Sequence, residues 1–92
     1  MEYILIFNIL KSAKKHGLSE TEIIFAWNNI FEGCERHDKD EDFDCYVSFG
    51  TLSNGNVAEL LWFYGDNEEV VIFHAMTPPT KALINELKRK GR

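Results

Sequence analysis

Cysteine and proline are scarce in this chain, with two of each in 92 residues. Cys34 and Cys45 make no disulfide framework, and in a reducing cytosol they serve as small hydrophobes. Cys34, His37 and Cys45 imitate part of a zinc site, but a fourth ligand at suitable spacing is lacking, so neither metal nor cofactor is expected. The two prolines are adjacent, and no Pro/Gly/Ser linker, internal repeat or low-complexity stretch divides the sequence. Residues 1–92 should therefore fold as one domain, being too few for two of ordinary size. Long apolar runs are missing too. Met1–Leu10 is much too short to span a bilayer and lacks a basic leader or a small-residue cleavage site, which makes the cytoplasm the expected location. Nor is there an excess of positive charge: 10 Lys and Arg face 15 Asp and Glu, a net −5 that argues against a protein coating free nucleic acid.

What is present is a globular composition, 45% hydrophobic and 27% charged, with its charge unevenly spread. Residues 32–45 carry seven acids and two bases, residues 46–76 four acids and no base, and residues 77–92 five bases and one acid. Residues 2–7 suit either a short strand or the start of a first helix. Ile9, Leu10 and Ala13 predict a short helix over 8–15 with Gly17 as its C-terminal cap. Ser19-Glu20-Thr21-Glu22 has the capping-box form and opens a second helix with Ile23, Trp27, Ile30 and Phe31 on its buried stripe. A sheet begins around Phe31–Arg36, followed by the acidic, solvent-seeking loop 37–42.

Phe43, Cys45, Val47 and Phe49 alternate with polar or small residues as in a half-buried strand. Asn54-Gly55 reads as a two-residue hairpin turn into strand Val57–Tyr64, and the turn 65–68 leads to strand Glu69–Met76. Thr77 is expected to cap a last helix with Pro78 at its first position, Leu83, Ile84 and Leu87 inward, and Lys81, Asn85, Lys88 and Arg92 on the opposite stripe with Arg89 alongside. The predicted fold is α+β: an antiparallel meander of three to four strands with two N-terminal helices and one C-terminal helix.

The segment from Val70 to Lys81 is the most informative. It is a strand apolar on both faces, interrupted only by His74 and stopped by Pro78-Pro79. With two-residue turns, Phe49 falls opposite Leu60, Val47 opposite Trp62, and Glu59 opposite His74. A carboxylate beside an imidazole near a helix start is a candidate acid–base group, while the bland alternative is a hydrogen-bonded core histidine.

Ser12-Ala13-Lys14-Lys15-His16-Gly17-Leu18-Ser19, the hairpin Gly55-Asn56-Val57-Ala58-Glu59-Leu60 and Val70-Val71-Ile72-Phe73-His74-Ala75-Met76 resemble the BrnT-like toxins, which belong to the RelE/ParE-type toxins of bacterial type II toxin–antitoxin systems. The resemblance runs from residue 12 to 90, and its distinctive motifs are Lys-His-Gly and His-Ala-Met. It implies a RelE/BrnT-like α+β domain acting as a metal-independent endoribonuclease and neutralised by a cognate antitoxin protein. Where such toxins carry arginines after this strand, the present chain has Met76-Thr77-Pro78-Pro79-Thr80-Lys81. For RNA cleavage, His74 oriented by Glu59 would be acid or base and His16 its counterpart. Lys15, Lys81 and Lys88 would contact phosphate, and Tyr46 would stack a base or donate a proton. His16 also suits the plainer role of a helix-ending residue complementing the dipole. The alternative class is a non-catalytic, toxin-like module that binds a protein partner through the sheet face or the basic last helix, and a homodimer is compatible with either.

Overall fold

The computed structural model describes residues 5–36 and 45–90, except the side chains at 86, 87 and 90. The acidic loop 37–42, His37 of the imitated zinc site, Phe43, the inward Leu87 and the outward Arg92 lie outside the described residues. The elements are β1 (Phe7–Ile9), a 3-10 turn (Lys11–Lys14), α1 (Glu20–Asn28), β2 (Ile30–Arg36), β3 (Cys45–Thr51), β4 (Val57–Tyr64), β5 (Val70–Met76) and α2 (Lys81–Lys90). The strands form one sheet in the order β1-β5-β4-β3-β2, with β1 parallel to β5 and every other pair antiparallel.

This corrects the expected fold. The sheet has five strands rather than three to four, is mixed rather than an antiparallel meander, and is accompanied among the described residues by two α-helices rather than three. The lost element is the first helix. Ile9, Leu10 and Ala13 belong to different structures: a helix of about eight residues gains too little to cover its nucleation, whereas β5 offers a row of backbone partners. The Val70 amide donates to the Ile6 carbonyl at 2.8 Å and the Leu10 amide to the Ile72 carbonyl at 3.0 Å. Beyond Leu10 one 3-10 turn buries Ala13, and Gly17 at φ +92° reverses the chain.

The capping box forms as the sequence indicates, with Ser19 Oγ accepting the Glu22 amide and the Glu22 carboxylate accepting the Ser19 amide. Helix α1 then stops at Asn28, so Ile30 and Phe31, expected on its stripe, instead open β2. At the other end of the chain Thr77 is not the cap of α2. Its hydroxyl donates to the Val57 carbonyl at 2.7 Å, the Thr77–Pro78 bond is cis, and Thr80 Oγ1 accepts the Leu83 amide.

Both hairpins close through three residues instead of two. The Leu52 amide meets the Asn56 carbonyl and the Gly65 amide meets the Glu69 carbonyl, with Gly55 (φ +88°) and Glu68 (φ +63°) in the left-handed conformation that a type I turn plus bulge requires. Each extra residue shifts the register by one. Phe49 lies opposite Glu59, and Val47 opposite Leu61, so the expected apolar face of Val47, Phe49, Leu60 and Trp62 is split in two. Ala58, Leu60 and Trp62 face α1 with Ile23 and Ala26, while Val47 and Phe49 face α2 with Leu83. The extra residue thus supplies each helix with its own apolar surface.

At Gly50 the α1 backbone comes so close to β3 that a Cβ would sit 2.7 Å from the Ala26 carbonyl carbon. Gly50→Ala is expected to destabilise the fold by about 1–3 kcal/mol, measured by urea unfolding; an unchanged midpoint would show that α1 is not seated on β3 here. A second expectation concerns acid. The Ser19 backbone hydrogen bond, joined by the Ser19 hydroxyl, holds the Glu22 carboxyl below the usual carboxylate range. Because folding lowers this value, the stabilisation is complete above the ordinary glutamate range of about 4.3 and is lost as pH falls through the lowered folded value. The stability difference between the wild type and Glu22→Gln should accordingly vanish on acidification, and a difference that persists in strong acid would contradict this origin.

Candidate active site

Strands β4 and β5 bring Glu59 and His74 onto the face that carries α2. They are not directly opposite, as the two-residue turns imply. Glu59 pairs with Met76 and Leu61 with His74, so the two side chains meet on the diagonal, with His74 Nε2 2.6 Å from Glu59 Oε2. Two displacements produce this contact. The three-residue turn at 66–68 shifts β5 by one residue, which alone would send His74 to the far face. A bulge then places Phe73 as an extra residue between the pairs Trp62–Ile72 and Leu61–His74, and the histidine returns to the side of Glu59.

Glu59 is 1% exposed. A buried carboxylate costs several kcal/mol unless both oxygens are satisfied. Here Oε2 faces the His74 ring, and Oε1 accepts the backbone amide of Thr80, the residue before α2. One side chain thereby ties together β4, β5 and the entrance to α2. The Thr80 amide is not legible in the sequence because a main-chain donor leaves no residue-type signal. The only hint was the position of Thr80 after the proline pair.

The bulge also places the second histidine. The Phe73 carbonyl accepts the Ser12 hydroxyl at 2.7 Å, fastening the 3-10 turn beside β5. The chain then passes through Lys15 and His16 before reversing at Gly17. The His16 ring stands edge-on to His74, with centroids 5.3 Å apart and planes at 69°. His16 is exposed, and 21% of the His74 side chain is open to solvent. Two imidazoles thus stand side by side within reach of solvent, one of them anchored by a buried carboxylate.

The remaining candidates divide. Lys15 is exposed next to His16 in the chain, and Lys81 is exposed one residue beyond Thr80. Lys14 is engaged by Glu20 at 3.0 Å. Tyr46 is elsewhere: it pairs with Trp62 in the sheet, stacks on that ring at 4.4 Å and packs against the α1-side core, the opposite face from Glu59. Lys88 lies two turns along α2 from Lys81, about 10 Å away by helix geometry, where it lines an apolar cleft with Phe31, Phe49, Val57 and Ile84. Among the described residues no three His, Cys, Asp or Glu side chains group as metal ligands.

No family model, curated protein or solved structure matches the chain. Among the described residues no helix is long and apolar enough to cross a membrane.

Removing the carboxylate would leave both the His74 ring and the Thr80 amide without an acceptor. Glu59→Ala is expected to lower stability by about 3 kcal/mol, at 1–3 kcal/mol for each orphaned group. Glu59→Gln, which keeps one acceptor, should lose much less. Denaturant titration of the two variants at neutral pH checks the order, and equal losses would mean that the carboxylate charge, rather than an acceptor for the Thr80 amide, sets the penalty.

Proposed function

We propose that this chain is a bacterial, cytoplasmic endoribonuclease of the BrnT-like toxin type, controlled by a cognate antitoxin protein. The observation that carries the reading is the buried Glu59 carboxylate holding His74, with His16 edge-on to the same ring. RNA brings its own nucleophile. One imidazole takes the proton of the ribose 2′-OH, and the 2′ oxygen attacks phosphorus. The 5′ oxygen departs with a proton from the other imidazole, leaving a 2′,3′-cyclic phosphate and a 5′-hydroxyl. Lys15 and Lys81 supply positive charge for the phosphate as its oxygens accumulate charge in the transition state. This scheme requires no metal, and the Lys15-His16-Gly17 and His74-Ala75-Met76 segments that resemble the toxin family contribute both rings.

A second reading is favoured by one observation, the cleft of about 290 Å³ lined by Phe31, Phe49, Val57, Pro79 and Ile84, with Glu32 and Lys88 among its walls. In that reading the chain is a non-catalytic module whose apolar slot receives a protein partner, and Glu59 only fastens α2.

Purified protein incubated with a mixed-sequence RNA separates the two. Cleavage with cyclic-phosphate ends that persists in a chelator, and that falls about 10²–10⁴-fold in His74→Ala and in His16→Ala, supports the enzyme. Absence of cleavage by the wild type, or wild-type rates in both histidine variants, defeats it. Induction in bacteria should likewise arrest growth with the wild type and not with His74→Ala.

A further inference from the structure

We infer that the backbone amide of Thr80 is a positioning group which, acting through Glu59, fixes the tautomer of His74 and leaves Nδ1 as its reacting nitrogen. The assignment of Nδ1 as reacting atom rests on the acid–base reading above; the tautomer itself does not. A carboxylate has acceptors only. One of its oxygens is committed to the Thr80 amide, a main-chain donor that cannot rotate away while α2 is seated. The other oxygen lies 2.6 Å from His74 Nε2, so this nitrogen must carry the hydrogen. A neutral imidazole has a single N–H, and Nδ1 is left with a free lone pair. It can accept a substrate proton directly and, once protonated, return it.

The same geometry makes α2 part of the site. Thr80 caps the helix through Oγ1, and α2 is held to the sheet by Leu83 packed with Val47 and Phe49. Lifting the first turn of α2 would withdraw the amide, free the carboxylate to rotate and release the ring from a single tautomer. Thr80 thus acts on the ring through Glu59, as a positioning residue.

Glu59→Gln provides the decisive test. If the Thr80 amide governs the side chain at 59, the glutamine oxygen will turn to Thr80 and its NH₂ will face His74. Nε2 must then accept, and the hydrogen moves to Nδ1. Ring ¹⁵N shifts of the labelled chain, recorded where the imidazole is neutral, should show the Nε2–H tautomer in the wild type and the Nδ1–H tautomer in Glu59→Gln. Persistence of Nε2–H in the variant overturns the inference, because the glutamine oxygen would then be facing the ring. The Trp62 indole N–H, bonded to Ser48 Oγ at 2.9 Å on the other side of the sheet, reports that the fold is intact. A second pair isolates the donor: Thr80→Ala keeps the amide and should keep one His74 tautomer, while Thr80→Pro removes it and should give averaged ring signals. Wild-type ring signals in Thr80→Pro would also overturn the inference. The outcomes are separable from those of the RNA assay. An inverted tautomer in a chain that cleaves no RNA upholds the positioning and sinks the nuclease, whereas cleavage with an unchanged tautomer does the reverse.

Discussion

A carboxylate taken out of water must find donors, and the satisfaction of Glu59 constrains β4, β5 and the entrance to α2 together. Its two partners come from chain segments 15 and 21 residues away, one a side chain on β5 and the other a backbone amide at the entrance to α2. The penalty for leaving either unmade is asymmetric, since a lost surface hydrogen bond costs little and a buried orphan costs about 1–3 kcal/mol. The position of α2 on the sheet, the path of Thr77 to Thr80 and the side on which His74 emerges are therefore coupled. Ordinary packing adds to this but does not specify it: the α2-side cluster is small, with Leu83 against Val47 and Phe49.

The Phe73 bulge is the second element of that coupling, and it serves both histidines. It corrects the parity of β5 after the three-residue turn, so that Val70 and Ile72 face the α1 core while His74 faces Glu59. Its carbonyl also anchors Ser12, which places the segment leading to His16. One extra position in a ladder thereby aims two side chains that lie 58 residues apart in sequence. Bulges commonly redirect side chains near functional sites, and here the redirection reaches both the bulged strand and the turn packed beside it.

The sequence revealed those parts of the fold whose signals are local. The capping box at Ser19 and Glu22, the strand at 57–64, and the strand expected at 69–76 and found at 70–76 follow from short-range chemistry. Parallel β1 was not legible, because three residues carry no periodicity and their partner, Val70 to Ile72, is 63 residues away. The turn lengths are illegible for a related reason. Asn54-Gly55 is compatible with a two-residue turn and with a type I turn ending on a left-handed glycine, and what separates them is which face α1 and α2 cover. That is a tertiary matter. Counting through two-residue turns pairs Glu59 with His74 although the ladder contains two shifts that such a count lacks. The contact holds because their sum is even, and the route to it, the diagonal and the bulge, could not be read from the residues. Thr80 contributes a backbone group, about which residue identity is silent.

Net charge alone does not decide whether an anionic substrate can approach a chain of net −5. Exposed charges act mainly within a Debye length, about 8–10 Å in physiological salt. Asp66, Glu68 and Glu69 belong to the turn at the start of β5, and His74 lies four residues along the strand from Val70. At about 3.3 Å per residue that is some 13 Å, so these acids are largely screened from the histidines. Lys15 adjoins His16 in the chain, and Lys81 follows Thr80, whose amide donates to Glu59. Field strength at a site depends on the arrangement of near charges more than on their total. A net negative total therefore does not by itself exclude an anion from the place where Glu59 joins His74 to the entrance of α2.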